Sequence, residues 1–80
     1  MMDATDPGKP LYRAVGDRIR SQRRLRDLTQ QQLGDMVDVT RATIANIEGA
    51  HQRVSLDLLF DIADALGTNV YLLLPSNYEV

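Results

Sequence analysis

The chain has 80 residues, of which 44% are hydrophobic and 25% are charged, and its net charge at pH 7 is −2. This length predicts one small domain with a limited core, and the absence of cysteine together with a single histidine argues against a disulfide framework, a metal site or a bound cofactor. No apolar run approaches the roughly 20 residues of a membrane span, and the polar N-terminus is unlike a signal peptide, so we expect a cytoplasmic protein with no membrane partner.

The N-terminal part of the sequence predicts a tail followed by a helix. Residues 1–10 are polar and contain two prolines and a glycine, which indicates a flexible N-terminal tail. From Leu11 onward, apolar residues recur at helical spacing, with Val15 and Ile19 continuing the stripe. We expect this first helix to end near Asp27.

A second, short helix is predicted after Leu28. Thr29 and Gln32 match the T-x-x-Q capping box, in which each side chain bonds the backbone N–H of the other. The helix should end at Asp38, because aspartate tolerates the left-handed backbone better than most residues. Gly34 lies inside the helix, where glycine costs about 1 kcal/mol relative to alanine, so we expect another helix backbone to cross nearby. The predicted apolar stripe is Leu33, Met36 and Val37.

Two further helices are predicted from their caps and stripes. Thr40 caps a third helix whose apolar side is Ile44 and Ile47, and the segment EGAHQR after it is a loop. Ser55 caps a fourth helix, which ends at Gly67. The predicted stripe of this fourth helix is Leu56, Leu59, Phe60, Ala63 and Leu66.

The segment from Val70 to Leu74 allows two interpretations. It is either one turn of helix, capped by Thr68 and closed by Pro75, or an edge strand with alternating apolar residues. Periodicity over so few residues does not decide between them. We expect residues 76–80 to form a C-terminal tail, which leaves one domain over residues 11–75.

Two short helices joined by a tight turn predict a helix-turn-helix unit. The first helix of such a pair braces the second, and the free face of the second fits the major groove of DNA. The charge distribution agrees with an anionic partner on one side of the molecule. Residues 9–53 hold nine basic and five acidic residues, a balance of +4, whereas residues 54–80 hold four acidic residues and no basic one.

The order and spacing of several segments resemble the helix-turn-helix domain of the phage repressor and Cro superfamily, or XRE family. These segments are GDRIRSQRR, LTQQQLG, VTRATIANIE, VSLDLLFDIADALG and LLP, which together span about three-quarters of the chain. The resemblance implies an all-α fold, a compact four- to five-helix bundle, and favours a helix over a strand for Val70 to Leu74. The chain departs from the family pattern at Asp38 and Ala50, where glycine is usual, and at Val54, where proline is usual.

The resemblance also implies a set of contacts. Arg23 and Glu48 match a structural ion pair, and Arg41 is the main long donor of the third helix. The dimer interface is predicted from the residues and not from the resemblance. Leu66, Val70, Leu72, Leu73 and Leu74 offer more apolar surface than one short terminal element needs, so we expect a second copy to cover this patch, with Tyr71 and Leu72 at the interface. The residues implied to face DNA bases are Arg41, Ala42 and Asn46. The residues implied to contact phosphates are Gln30, Thr40, Thr43, His51, Gln52 and Arg53.

We therefore expect a sequence-specific, double-stranded DNA-binding transcriptional regulator, a repressor or autoregulator that acts as a homodimer and has no enzymatic activity. One alternative is an antitoxin that neutralises a partner toxin protein and autoregulates its operon. Another is a restriction–modification controller. A protein-interaction module without DNA binding is a further alternative, and the low pI of 5.1 favours it.

Overall fold

A computed structural model of the protein describes residues 10–75, and the predicted tails over 1–9 and 76–80 lie outside them. The described chain forms four α-helices and one turn of 3-10 helix, and it contains no strand, which confirms the all-α class. No helix in this part of the chain has the length and apolar character needed to cross a bilayer. The elements are α1 (Pro10–Leu25), α2 (Gln30–Met36), α3 (Arg41–Glu48), α4 (Leu56–Ala65) and the terminal 3-10 helix (Val70–Leu73).

The helix starts follow from local side-chain capping. Thr29, Thr40 and Ser55 each accept a hydrogen bond from the backbone N–H three residues later, at 3.0, 3.1 and 3.1 Å. These caps satisfy N–H groups that have no partner within the helix. The prediction for the terminal turn was wrong by one residue, since Asn69 rather than Thr68 is the cap and accepts from the backbone two residues on. Pro10, assigned to the tail, is the first residue of α1, a position where the missing N–H of proline is tolerated.

Buried side chains from all five elements form one core. The apolar stripes predicted for α2 and α4 include residues that are exposed and do not belong to this core. Met36 is 53% exposed, and on α4 Leu56 and Phe60 are 70% and 54% exposed. The core side of α4 includes Ile62, which is fully buried and which the predicted stripe omitted. Ile62 lies three residues after Leu59 and four before Leu66, so it lies on the same side of the helix as these two. The helix therefore has two apolar sides, and only the side with Ile62 packs into the core. The buried cluster comprises Val15, Ile19, Leu33, Ile44, Ile47, Leu59, Ile62, Ala63, Leu66 and Leu73.

Left-handed backbone conformations end several helices. Asp38, in the turn between α2 and α3, has a φ of 61°, as the sequence predicted. Ala50 ends α3 with a φ of 58°, and Asp27 follows α1 with a φ of 56°. Gly67 has a φ of 64° after α4. Non-glycine residues adopt this region at some energetic cost, so the sharp change of chain direction at Asp38 and Ala50 must be enforced by the packing of the helices on either side.

Two glycines allow close backbone approach. A methyl group on Gly16 of α1 would lie 2.5 Å from the carbonyl oxygen of Ile47, which is closer than packed atoms allow. A methyl group on Gly34 would lie 2.8 Å from the carbonyl oxygen of Val39. The backbone beside Gly34 therefore belongs to the turn before α3, whose Val39 N–H donates to the Gly34 carbonyl at 2.9 Å, and not to a crossing helix as predicted.

A buried ion pair joins α1 to the end of α3. Arg23 donates from Nε to Oε2 of Glu48 at 2.6 Å and from Nη2 to Oε1 at 2.8 Å, so the contact is bidentate. The third donor of the guanidinium, Nη1, bonds the Leu28 carbonyl at 2.8 Å and so holds the α1–α2 connection. Arg23 and Glu48 are only 7% and 2% exposed. This pair fixes the position of α3 relative to α1.

The surroundings of Glu48 keep it ionised. Burial alone would raise the pKa of its carboxyl group, but hydrogen bonds from Arg23 and Gln30 and the charge of Arg23 outweigh burial and lower it. The pKa of Arg23 is raised, chiefly by its hydrogen bonds to Glu48. Since the pKa of Glu48 is lowered, the pair stabilises the fold fully above the ordinary carboxyl pKa of about 4.3. That stabilisation is lost as the pH falls through the lower pKa of the folded protein.

Replacing Gly16 by alanine should destabilise the protein by about 1–3 kcal/mol, because the new methyl group would push α1 away from the α3 backbone. Alanine's higher helix propensity, worth about 1 kcal/mol, would offset only part of this loss. Urea unfolding monitored by circular dichroism measures the effect. Ser21→Ala on the exposed side of the same helix is the matched control and should leave stability nearly unchanged. A Gly16→Ala variant more stable than the wild type would contradict the close approach.

Replacing Glu48 by glutamine should lower the free energy of unfolding at pH 7 by about 3–5 kcal/mol, because Arg23 would remain buried without a counter-charge. On acidification from pH 7 to pH 3, the wild type should lose more stability than this variant, which has no carboxylate to titrate at that position. Urea unfolding at both pH values tests this. An Arg23→Met/Glu48→Met double variant should recover much of the loss. If the losses of Arg23→Met and Glu48→Met alone add up to the loss of the double variant, the two residues are not coupled.

Candidate nucleic-acid interface

The two sides of α3 have different surroundings. Ile44 and Ile47 are 0% and 2% exposed and anchor the helix in the core. Arg41, Ala42 and Asn46, which the sequence assigned to base contacts, are all exposed. An α-helix with its side chains is about 10–12 Å in diameter, which is close to the width of the major groove. The solvent side of α3 therefore offers one long donor, one methyl group and one amide on a braced helix.

Two threonines stand at the N-terminus of α3. The side-chain oxygens of Thr40 and Thr43 lie 3.1 Å apart, and Thr40 also caps the helix through the N–H of Thr43. Thr40 is exposed and Thr43 is partly buried. Hydroxyl groups beside the free N–H groups of a helix start are suited to binding an anion such as a phosphate. The phosphate contacts of Thr40 and Thr43 remain predictions.

The side chain of Gln30, at the start of α2, is held between two other residues of the interface. Its amide nitrogen donates to Oε1 of Glu48 at 3.1 Å. Its amide oxygen accepts from Nη1 of Arg41 at 3.3 Å. Gln30 was predicted to contact a phosphate, and its contacts with Glu48 and Arg41 were not predicted. No local pattern could have found these contacts, because they depend on how α2 packs against α3.

Arg20 is a second residue that the sequence analysis missed. Its Nε lies 3.5 Å from Oε1 of Glu48, and its side chain is 39% exposed. It precedes Arg23 by three residues, which places both on one side of α1. Once Arg23 is paired with Glu48, this spacing is enough to predict that Arg20 also lies near the Glu48 carboxylate. Glu48 thus accepts hydrogen bonds from Arg20, Arg23 and Gln30.

The loop after α3 is attached to that helix at its beginning. The backbone N–H of His51 donates to the carbonyl of Asn46 at 2.8 Å, and the imidazole lies against Gly49. His51, Gln52 and Arg53 are all exposed, so the structure places these predicted phosphate contacts on the surface next to α3. Gln52 and Arg53 share a shallow concavity with Tyr12 of α1, a residue that the sequence did not single out.

The predicted dimer residues lie on another part of the surface. Tyr71 and Leu72 are 75% and 57% exposed on the terminal 3-10 helix, which packs on α4 and α1. The helix α3 packs instead on α2 and α1. Phe60 of α4 lines a groove with Val70 and Tyr71 and extends this apolar surface. Leu66 and Leu73, which the sequence placed in the same patch, are 1% and 0% exposed and belong to the protein's own core.

Comparison with curated proteins gives one informative relative. The immunity repressor protein of Bacillus phage phi105 is 41% identical over 56 residues, which make up 70% of this chain and 39% of that protein. The chain spans less than half the length of the curated relatives it matches.

The solved structures that share the fold include a controller protein and a repressor. The restriction–modification controller protein C.AhdI from Aeromonas hydrophila superposes with a TM-score of 0.75 at 26% identity, over 78% of this chain and 90% of that one. The P22 c2 repressor protein, solved in complex with the synthetic operator 9T, gives a TM-score of 0.72 at 28% identity, over 79% of this chain and 96% of that one.

The sequence profile of the helix-turn-helix family matches residues 19–73, from the middle of α1 to the end of the terminal 3-10 helix. This match covers more than half of the chain and includes every residue of α2, α3 and α4. The resemblance predicted from the sequence is confirmed: the phi105 and P22 repressors are among the proteins that the chain is similar to, and the chain belongs to the helix-turn-helix family.

Proposed function

We propose that this chain is a sequence-specific, double-stranded DNA-binding transcriptional regulator that represses transcription as a homodimer. The observation that carries the proposal is the two-sided character of α3. Its buried isoleucines and the Glu48 ion pair hold the helix firmly, while Arg41, Ala42 and Asn46 face solvent. A rigid helix with short or hydrogen-bonding side chains on its free side is suited to insertion into the major groove.

Each exposed side chain of α3 suits a particular base edge. An arginine such as Arg41 donates two hydrogen bonds to guanine, and an asparagine such as Asn46 pairs with the donor and acceptor of adenine. The Ala42 methyl group suits the methyl group of thymine. Polar groups at the start of α2 and around both ends of α3 are proposed to contact phosphates, which provide affinity and register but little sequence preference. Those proposed contacts are Gln30, Thr40, Thr43, His51, Gln52 and Arg53.

The homodimer is proposed because one short recognition helix contacts too few base pairs to select a site. Two-fold dimers with half-sites about one helical turn apart meet this need. Phe60, Tyr71 and Leu72 supply an exposed apolar surface away from α3. Because Leu66 and Leu73 are already buried within the protein, this interface is smaller than the patch proposed from the sequence. The acidic residues Asp57 and Asp61 on α4 are exposed and would lie at its rim.

Two settings are supported equally, a small autoregulatory repressor and a restriction–modification controller, since the P22 c2 repressor and C.AhdI match the fold over 96% and 90% of their own lengths. The antitoxin alternative requires a partner toxin and remains a prediction. The proposal includes a cytoplasmic location, where a transcriptional regulator would meet its DNA, and no catalytic activity.

Selection of bound duplexes from a random DNA pool tests the proposed function. We expect the full chain to enrich one sequence with two-fold symmetry and to bind it far more tightly than random duplex. Binding to heparin without any enrichment would indicate a general polyanion binder. The absence of binding to any duplex would leave the protein-interaction alternative.

Replacing Arg41 by alanine should weaken binding to the selected duplex by about 1–3 kcal/mol and relax the preference at one base pair, as expected for the loss of a base contact. Arg53→Ala is the matched control. It should weaken binding by a similar factor on all sequences and reduce the salt dependence by about one unit of slope. Fluorescence anisotropy at several salt concentrations, on cognate and random duplexes, measures both. An Arg41→Ala variant that loses affinity equally on every sequence would reassign Arg41 to a phosphate.

Replacing Leu72 by glutamate should convert the dimer to a monomer, because a charge would enter the centre of the proposed apolar interface. Leu25→Glu is the matched control, since Leu25 is 72% exposed on α1 and lies outside that interface. Sedimentation at micromolar concentration distinguishes the two states. A wild-type monomer, or a Leu72→Glu protein that remains dimeric, would rule out this interface.

A further inference from the structure

A groove between the end of α2 and α4 combines an apolar floor with a border of carboxylates. Its volume is about 480 Å³, and its apolar lining includes Met36, which is 53% exposed. Its charged lining consists of Asp38, Asp61 and Asp64, which are all exposed, and no basic residue of the described chain lines it. An apolar surface bordered by charges of one sign suits a partner with an apolar side chain between charges of the other sign. We call this surface the acidic groove.

The end of α1 carries the complementary pattern. Leu25, the last residue of the helix, is 72% exposed and lies between Arg24 and Arg26, which are also exposed. The Arg26 side chain is held by Gln22, whose side-chain oxygen accepts from Nη1 at 2.8 Å. Asp27 follows, so residues 24–27 have a charge balance of +1, against −3 in the acidic groove.

Neither surface is neutralised within its own copy. In residues 10–75, every ion pair involves Glu48, which belongs to neither surface. The two surfaces are also separated along the molecule, because Leu25 precedes α2 and Met36 ends it. The seven residues of α2 span about 10 Å at 1.5 Å per residue. A partner for either surface must therefore come from another molecule.

We propose that the acidic groove of one copy receives the end of α1 from a second copy. Leu25 lies on the apolar floor, and Arg24 and Arg26 face the carboxylates. The chain carries both halves of this contact, so a second copy supplies the charge and the apolar group that the groove requires. Because the two halves are different surfaces, each pair leaves one of each free, and the contact can repeat into an open chain of molecules.

This contact differs from the proposed homodimer and is weaker. A standard interface uses roughly 20–30 residues on each partner, whereas this one uses a helix end and a groove. Its exposed ion pairs contribute little each and are screened by salt. We therefore expect no stable complex through it at micromolar concentration, and Leu25→Glu remains a suitable control for the Leu72→Glu variant in sedimentation.

Disulfide trapping detects a weak contact of this kind, and the chain has no cysteine of its own. Leu25→Cys protein is mixed with Met36→Cys protein that carries a mass tag, and the mixture is oxidised with copper phenanthroline at low salt. The mixed disulfide should form faster than either same-variant disulfide, because only the mixed pair brings the two thiols within bonding distance.

Leu56→Cys is the matched control for Met36→Cys. Leu56 is a 70% exposed apolar residue of α4 that does not line the acidic groove. Mixed with Leu25→Cys protein, it should give only the background rate of disulfide formation. A thermal melt of each variant establishes that it is folded.

Charge reversal tests the electrostatic part of the contact. Adding Arg24→Glu/Arg26→Glu to the Leu25→Cys variant should slow formation of the mixed disulfide about 10-fold, because two attractions become repulsions. Adding Asp61→Arg/Asp64→Arg to the Met36→Cys variant should then restore the rate. Asp38 is left unchanged because its backbone is left-handed, with a φ of 61°.

Restoration by the second charge reversal would support the contact between copies. Equal rates at the groove and control positions, or rates that the charge reversals leave unchanged, would overturn it. Binding of a polyarginine peptide without any mixed disulfide would assign the groove to a different basic partner and overturn the second copy. These measurements contain no DNA, so the proposed function is tested separately.

Discussion

The bidentate contact between Arg23 and Glu48 determines where α3 lies, and the other features of the interface depend on it. It joins the last turn of the longest helix to the last residue of α3, and the remaining guanidinium nitrogen holds the chain at Leu28 before α2 begins. A single buried pair thus relates three helices. Such a pair contributes little net stability compared with apolar side chains of the same size, but it strongly disfavours arrangements that leave either charge unpaired. We infer that its main effect is to select one arrangement of the helices.

Close backbone contact makes this arrangement possible. The absence of a side chain at Gly16 lets α1 approach the carbonyl groups of Ile47 and Glu48, and the absence of one at Gly34 lets α2 approach the turn before α3. The result is a short helix that is supported along its buried side and at both ends. Helices of seven or eight residues are marginal in isolation, so tertiary support of this kind is what gives α3 a definite surface.

Local chemistry explains which parts of the fold were predictable. The caps at Thr29, Thr40 and Ser55 involve residues three apart, so sequence alone was sufficient. The buried side of α4 could not be predicted from the sequence, because Phe60 and Ile62 are both plausible core residues and only the packed structure selects Ile62. The same limit applies to the interface. The sequence named the exposed residues of α3 from family resemblance, but the links from Glu48 through Gln30 to Arg41 require the crossing of α2 and α3.

The left-handed turns at Asp38 and Ala50 have a consequence for sequence variation among descendants of this protein. Asp38 is exposed, so glycine or asparagine could replace it, with less backbone strain and no loss of packing. Ala50 is 5% exposed as well as left-handed. A larger side chain would not fit there, a β-branched one would also be strained, and glycine would relieve the strain but leave a small void. We therefore expect the turn before α3 to vary among aspartate, asparagine and glycine, and the turn after it to alternate between alanine and glycine.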